Sequence, residues 1–283
     1  MTLFLQYLAA GIASGSTFAL VATGFVVIYR VTGVINFAQG VFAVLGGFLA
    51  YSLLQAGVAH GLAESLAVLI TAAIGLVVGL VALGRRGTPP LASLIVTLGL
   101  AIFSYAVVIT TWGDHPISYE GLSGLLAIGG VSMQRQYVLI VGAAVVTFLA
   151  LALLFGRTYL GMALTACSSD QRAARLMGID VWRMGLLAFA VGGGLGGLAG
   201  VLLTPLQPVQ FDSDVGIAVN GFAAAIFGGL VRPVTAFAGG LVLGVAEAMV
   251  AGYYRSSYET AIALAVMLAL MLWQASRRAP SEE

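Results

Sequence analysis

Runs of about 20 apolar residues recur along this chain, each long enough for a helix to cross the hydrocarbon core of a bilayer. The candidates are Leu5–Tyr29, Phe37–Leu54, Ser65–Leu83, Leu91–Thr111, Tyr137–Phe155, Met184–Leu203, Val215–Leu230, Thr235–Gly252 and Tyr258–Trp273. A water-facing surface needs charge, and only 8% of the 283 residues are charged while 60% are hydrophobic. Mean hydropathy is +1.06, and soluble domains carry about 25% charged residues. The expected fold is therefore all-α: a polytopic transmembrane helical bundle forming one domain over residues 1–283. It should have about eight or nine membrane segments, some of them broken or re-entrant. Val215–Leu230 is short and glycine-interrupted, so whether it crosses completely stays open. The start, Met1-Thr2-Leu3-Phe4, has neither a basic region nor a cleavage site, so the first run is expected to be kept as a span.

Charge and reactive side chains exclude several classes of function. Every basic residue is arginine, and with 11 acids the formal net charge is +1, which gives no basic field for nucleic acid. A chain without lysine cannot build a P-loop ATP site. The single cysteine, Cys167, allows no intrachain disulfide or cysteine-based zinc site, and is expected to be a small packing residue. His60 and His115 fall in connections, neither sits in an H-E-x-x-H pattern, and no serine lies near a histidine within an apolar run. No catalytic residue, metal site or cofactor is expected.

Orientation follows from the arginines, which are retained on the cytoplasmic side. With the Arg157–Arg183 connection cytoplasmic, strict alternation also places Arg30, Arg85, Arg86, Arg232, Arg277 and Arg278 there. Only Arg135 and Arg255 fall outside. The N-terminus is then expected outside and the C-terminus in the cytoplasm. Two connections are long. The outer one, Trp112–Gln136, mixes Gly, Pro, Ser and two acids, and reads as a cap, a landing surface or a plain connector. In the inner one, Asp170, Ala174 and Gly178 recur every four residues. On a helix they would share one face bordered by Arg172 and Arg175, with Gly178 suited to a terminus. That face can dock a partner, or lie on anionic headgroups of membrane lipid.

Polar side chains inside apolar runs are few. Glu247 is the carboxylate well inside a segment, and either bonds a neighbouring helix or takes part in transport. Asn36 and Asn220 open two similar stretches, each followed by a glycine pair, Gly46-Gly47 and Gly228-Gly229. One stretch is expected to run outward and the other inward, as an inverted repeat would. Their amides either bond a polar solute at broken helix starts or tie helix to helix.

Gly33-Val-Ile-Asn-Phe-Ala-Gln-Gly40 with Gly46-Gly47 resembles the Asn-Phe-Ala-His-Gly stretch of branched-chain amino acid ABC transporter permeases. Gly161-Met-Ala-Leu-Thr-Ala166, followed by Asp170, Ala174 and Gly178-Ile179, is similar to that family's ATPase-coupling segment. Gly193–Leu203, Phe222–Gly229 and Gly239–Ala248 resemble its C-terminal half. The likeness implies a permease subunit of an ATP-driven importer in a bacterial inner membrane, carrying branched-chain amino acids or a related small polar solute. It implies a second permease subunit, alike or different, two cytoplasmic ATP-binding subunits and an extracytoplasmic solute-binding protein. It also places Gly161, Asp170, Ala174 and Gly178 in the coupling segment (157–183), and Asn36, Gln39, Asn220 and Glu247 near the pathway. Gln39 stands where many relatives have histidine and cannot titrate near neutral pH. The alternative is an ion-coupled secondary transporter, which usually needs several buried acids. A protease-sensitive tag placed within Arg157–Arg183 should be cut only in inside-out vesicles. Cutting in right-side-out vesicles would invert the topology.

Overall fold

The computed structural model describes residues 2–84, 88–128 and 131–253, together with 261, 265, 268 and 269. Ten helices and one hairpin follow in chain order. They are α1 (Thr2–Thr32), α2 (Gln39–Gln55), α3 (Leu62–Leu83), α4 (Pro90–Trp112), β1 (Leu125–Ile128), β2 (Val131–Gln134), α5 (Arg135–Arg157), α6 (Tyr159–Ser169), α7 (Gln171–Leu176), α8 (Val181–Leu203), α9 (Ser213–Phe227) and α10 (Pro233–Tyr253). Eight of the apolar runs coincide with α1–α5 and α8–α10. The ninth, Tyr258–Trp273, lies outside the described residues apart from isolated positions, as do Arg85, Arg86, Arg255, Arg277 and Arg278. Among the described residues, six helices are long and apolar enough to cross a membrane: α1, α3, α4, α5, α8 and α10. Helices α2 and α9, at 17 and 15 residues, are shorter.

The bundle is built around α8. Its residues Gly185 to Leu203 face α3 on one side and α1 and α2 on the other. From Gly192 to Gly200 glycine recurs at three- and four-residue spacing on these faces, so main chains meet directly. A Cβ on Gly200 would overlap the carbonyl of Ala43 in α2. Helices α1 and α10 pack antiparallel in the same way, and a Cβ on Gly244 would strike the Gly15 amide. Small residues suit this work because lipid tails offer apolar side chains the same contacts that a neighbouring helix does. The outward faces of α3, α4 and α5 carry exposed Leu69, Ile102, Phe103 and Val146 instead.

Helix α2 begins in the middle of the bundle. The chain leaves α1 at Thr32, runs unwound through residues 33–38, and re-forms as a helix at Gln39. There the Gln39 Nε2 donates to Gly192 O, halfway along α8, at 2.9 Å. Helix α9 begins beside it, since a Cβ on Gly40 would overlap the carbonyl of Asp214. Two broken helices thus set their first turns against each other inside the bundle.

The long connections differ from their sequence reading. Within residues 112–136 the chain forms an antiparallel hairpin, Leu125 opposite Gln134, a small addition to a bundle that is otherwise helical. Its strands are separated in sequence by Gly129-Gly130, a hairpin signal that the reading of the loop passed over. The loop is pinned to the end of α8. Ile117 bridges Val209, and the Tyr119 hydroxyl donates to Val201 O at 2.6 Å; burial, with the negative charge of Glu64 nearby, pushes its pKa upward. Residues 163–183 are not one helix with a smooth face either. Asp170 stops α6 and caps α7, accepting from the Arg172 and Ala173 amides at 2.7 and 3.2 Å. An aspartate at an N-cap satisfies amides that it cannot reach from mid-helix.

Gly200→Val and Gly244→Leu should each cost at least about 3 kcal/mol through backbone displacement, read as lost thermal stability in detergent. Gly142→Ala in α5, where a Cβ meets nothing within 4 Å, should be neutral. Equal tolerance at all three positions would contradict the packing described.

Candidate functional site

The side chains singled out above fall into three places. The first is a cavity of about 790 Å³ at the hairpin end of the bundle. It lies between α1, α9, α10 and the connection that follows α8, and Tyr7, Phe18, Gln207, Asp212, Asn220 and Glu247 are among its lining. Asn220 and Glu247 meet here. The amide Nδ2 donates to Glu247 Oε2 at 3.3 Å, joining α9 to α10. Glu247 is 6% exposed although it borders the cavity. Gly240 and Gly244 let α10 approach α1 closely, and Gly239 lets it approach α9, which brings the carboxylate to that depth.

The second place is the junction where α2 and α9 begin. Asn36 Oδ1 accepts from the Ala38 amide at 3.1 Å, and its Nδ2 reaches Gln39 Oε1 at 3.4 Å. The unwound Phe37 amide finds Thr97 Oγ1 on α4 at 3.2 Å. Asn36 and Gln39 are buried, and neither is part of the lining of the larger cavity. Their bonds close the backbone groups that the break in α2 would leave open, as buried irregular backbone requires. Asp214 sits at the same junction. It is 4% exposed, and Tyr105 of α4 donates to its Oδ1 at 2.9 Å. Sequence reasoning missed both residues, having started the segment at Val215. The available signal was an acid heading a short, glycine-interrupted run.

The third place is the arginine end, where α6 and α7 form an elbow outside the bundle. Thr158 Oγ1 accepts from the Gly161 amide at 3.0 Å, and a Cβ on Gly161 would overlap the Leu154 carbonyl, so α6 can fold back on α5 only at a glycine. Gly178 takes a left-handed φ of +81°, and the Ile179 amide returns to Ala174 O at 3.0 Å, ending α7. Ala174 is buried against α1 and α8, not presented outward. Exposed instead are Leu176 at 89% and Met177 at 82%, beside Arg172 and Arg175. The elbow is tied to α1 by Arg30 Nη2 to Ser168 Oγ at 3.1 Å and by Gln171 Nε2 to Val31 O at 2.8 Å. Cys167 packs in the same cluster, and burial raises its thiol pKa against the opposing charge of Arg175.

A smaller cavity of about 590 Å³, lined by Val31, Gln171, Arg175 and Trp182, opens at this end. About 20 Å of α1 separates Val31 there from Phe18 in the larger cavity. Two recesses thus lie at opposite ends of the bundle, with the first turns of α2 and α9 between them. Among the described residues no group of three or more His, Cys, Asp and Glu could hold a metal ion.

Comparison with known proteins agrees with this architecture. A solved structure of PsaBC from Streptococcus pneumoniae in complex with Fab covers 95% of this chain and 91% of its own, with TM-score 0.53 and 15% identity, a likeness of fold. The high-affinity branched-chain amino acid transport system permease protein LivH of Salmonella typhimurium is 30% identical over 95% of this chain and 93% of its own length. BraD of Pseudomonas aeruginosa, of the same description, is 29% identical over 96% and 94%. The ribose import permease protein RbsC of Escherichia coli K12 is 28% identical over 89% and 80%. The family described as branched-chain amino acid transport system, permease component, matches residues 7–273. A multi-pass membrane protein by its apolar helices, this chain belongs to that permease family.

Proposed function

We propose that the chain forms part of the translocation pathway of an ATP-driven importer for branched-chain amino acids or a related small polar solute. The observation that carries this reading is the elbow of α6 and α7, which holds an apolar and basic tip outside the bundle while its root is bonded to α1 and packed on α8. Such a part can transmit a push from a separate motor, because α1 and α8 are the helices on which the bundle is assembled. In this reading the arginine end faces the cytoplasm of an inner-membrane protein, in keeping with the arginine bias. Two ATP-binding subunits bear on the elbow, and a second permease subunit, alike or different, completes the pathway. The hairpin end faces an extracytoplasmic solute-binding protein.

Within that scheme the coupling residues divide by task. Gly161 sets the elbow, Asp170 and Gly178 delimit α7, and Ala174 seats it on the bundle. Leu176 and Met177 meet the motor. Asn220 and Glu247 border the solute in the larger cavity, while Asn36, Gln39 and Asp214 hold the junction through which access must change. Helices α2 and α9 are read as the broken members of two inverted halves, which brings the membrane segments to eight or nine with the run Tyr258–Trp273. Motor-driven coupling is favoured over ion coupling because the two buried acids among the described residues are each bonded within the fold, Asp214 to Tyr105 and Glu247 to Asn220.

Leu176→Glu and Met177→Glu should lower uptake by reconstituted permease with its ATPase and binding-protein partners about tenfold, as loss of an interface anchor does. Their thermal stability should be unchanged. Ala174→Leu should instead lower stability, since that side chain has no open space to grow into. Normal uptake in both glutamate variants would remove the elbow from the coupling path.

A further inference from the structure

We propose that α4 is a latch on the junction, with Thr97 and Tyr105 as positioning residues that release α2 and α9 when access changes. This deepens the importer reading and rests on it. The face of α4 turned to the bundle carries buried Ser93, Thr97, Ala101 and Val108 at helical spacing, with Tyr105 and Trp112 on the same stripe. Three polar bonds leave that stripe. Thr97 Oγ1 accepts from the Phe37 amide at the break before α2, and Tyr105 donates to Asp214 in the first turn of α9. Trp112 Nε1 donates to Ser52 Oγ in the last turn of α2. The first and third join residues 60 apart in sequence, so α4 runs parallel to α2 in a fixed register. One helix thus holds both ends of α2 and the start of α9.

The grip is of a kind that can let go. Helices α8 and α10 are seated by glycines at which main chains interlock, whereas a Cβ on Gly99, the one glycine of α4, would meet nothing within 4 Å among the described residues. Interlocked backbones part only by distorting each other, but a side-chain hydrogen bond breaks whole and re-forms, at a cost of about threefold in population. An amide at this depth must always have a partner. The Phe37 amide has a second one within reach of a small change: if the turn before α2 rewinds, the carbonyl four residues back belongs to Gly33. Thr97, released, keeps its own bond to Leu94 O at 2.9 Å. The junction therefore has two bonded arrangements, and α4 stabilises the one seen here.

The test ties α4 to α9. Tyr105→Cys and Asp214→Cys are joined by a short bismaleimide with a reducible centre, in a Cys167→Ala background, in the full chain assembled with its partners in proteoliposomes. Tethering should lower leucine uptake about tenfold, and reducing the tether should restore it, while the reagent leaves either single-cysteine chain unchanged. Undiminished uptake by the tethered protein would overturn the latch and leave the importer reading standing. Uptake that stops on tethering yet needs no ATP would keep the latch and remove the importer reading. Without leucine uptake to measure, the yield of tether decides. It should fall about threefold when vanadate traps the ATP-binding subunits, and an unchanged yield would overturn the latch. Thr97→Val, which keeps the shape but offers no acceptor, serves if the double variant does not assemble. It should raise ATP hydrolysis without solute about threefold, and Thr97→Ser should not. Equal hydrolysis in these two variants would equally overturn the proposal.

Discussion

Lipid gives two apolar helices little reason to associate, so a bundle this apolar must be held by shape. Here the shape is main chain against main chain along α8, whose glycines admit α3 on one face and α1 and α2 on the other. The same device joins α1 to α10. Everything functional hangs from this frame. The break in α2 is tolerable because α8 offers the Gly192 carbonyl to Gln39. Glu247 reaches the cavity because α10 lies close on α1, and the elbow at the arginine end has a firm root because α1 and α8 both receive it.

Eight of the nine apolar runs were legible in sequence to within about three residues at each end. Ser65–Leu83 became Leu62–Leu83, and Met184–Leu203 became Val181–Leu203. Length and hydropathy suffice for this, since a span has only one way to satisfy its backbone in lipid. Irregular elements were harder. The spacing of Asp170, Ala174 and Gly178 looked like one helical face, but it marks a cap, a core contact and a terminus. A period of four arises from either arrangement, and tertiary contacts decide between them. The hairpin in the outer loop was hidden for a similar reason, because its strands are four residues each and carry little periodicity.

Site residues were legible in type but not in placement. Asn220 and Glu247 meet although 27 positions apart, a pairing that depends on how α9 and α10 pack. Asn36 and Gln39 were read as pathway groups, and they turn out buried, bonded to each other and to α8. Asp214 escaped notice because its depth comes from where α9 starts, which no local pattern records.

In the proposed importer an outside motor acts at one end of a bundle that has a cavity at each end. The most direct measurement is leucine uptake into proteoliposomes holding the permease, its ATP-binding subunits and the solute-binding protein, with ATP confined to one side. Uptake should occur only when ATP is on the side of α7, and should persist when an ionophore collapses ion gradients. Uptake that needs no ATP and vanishes with the ionophore would contradict the account.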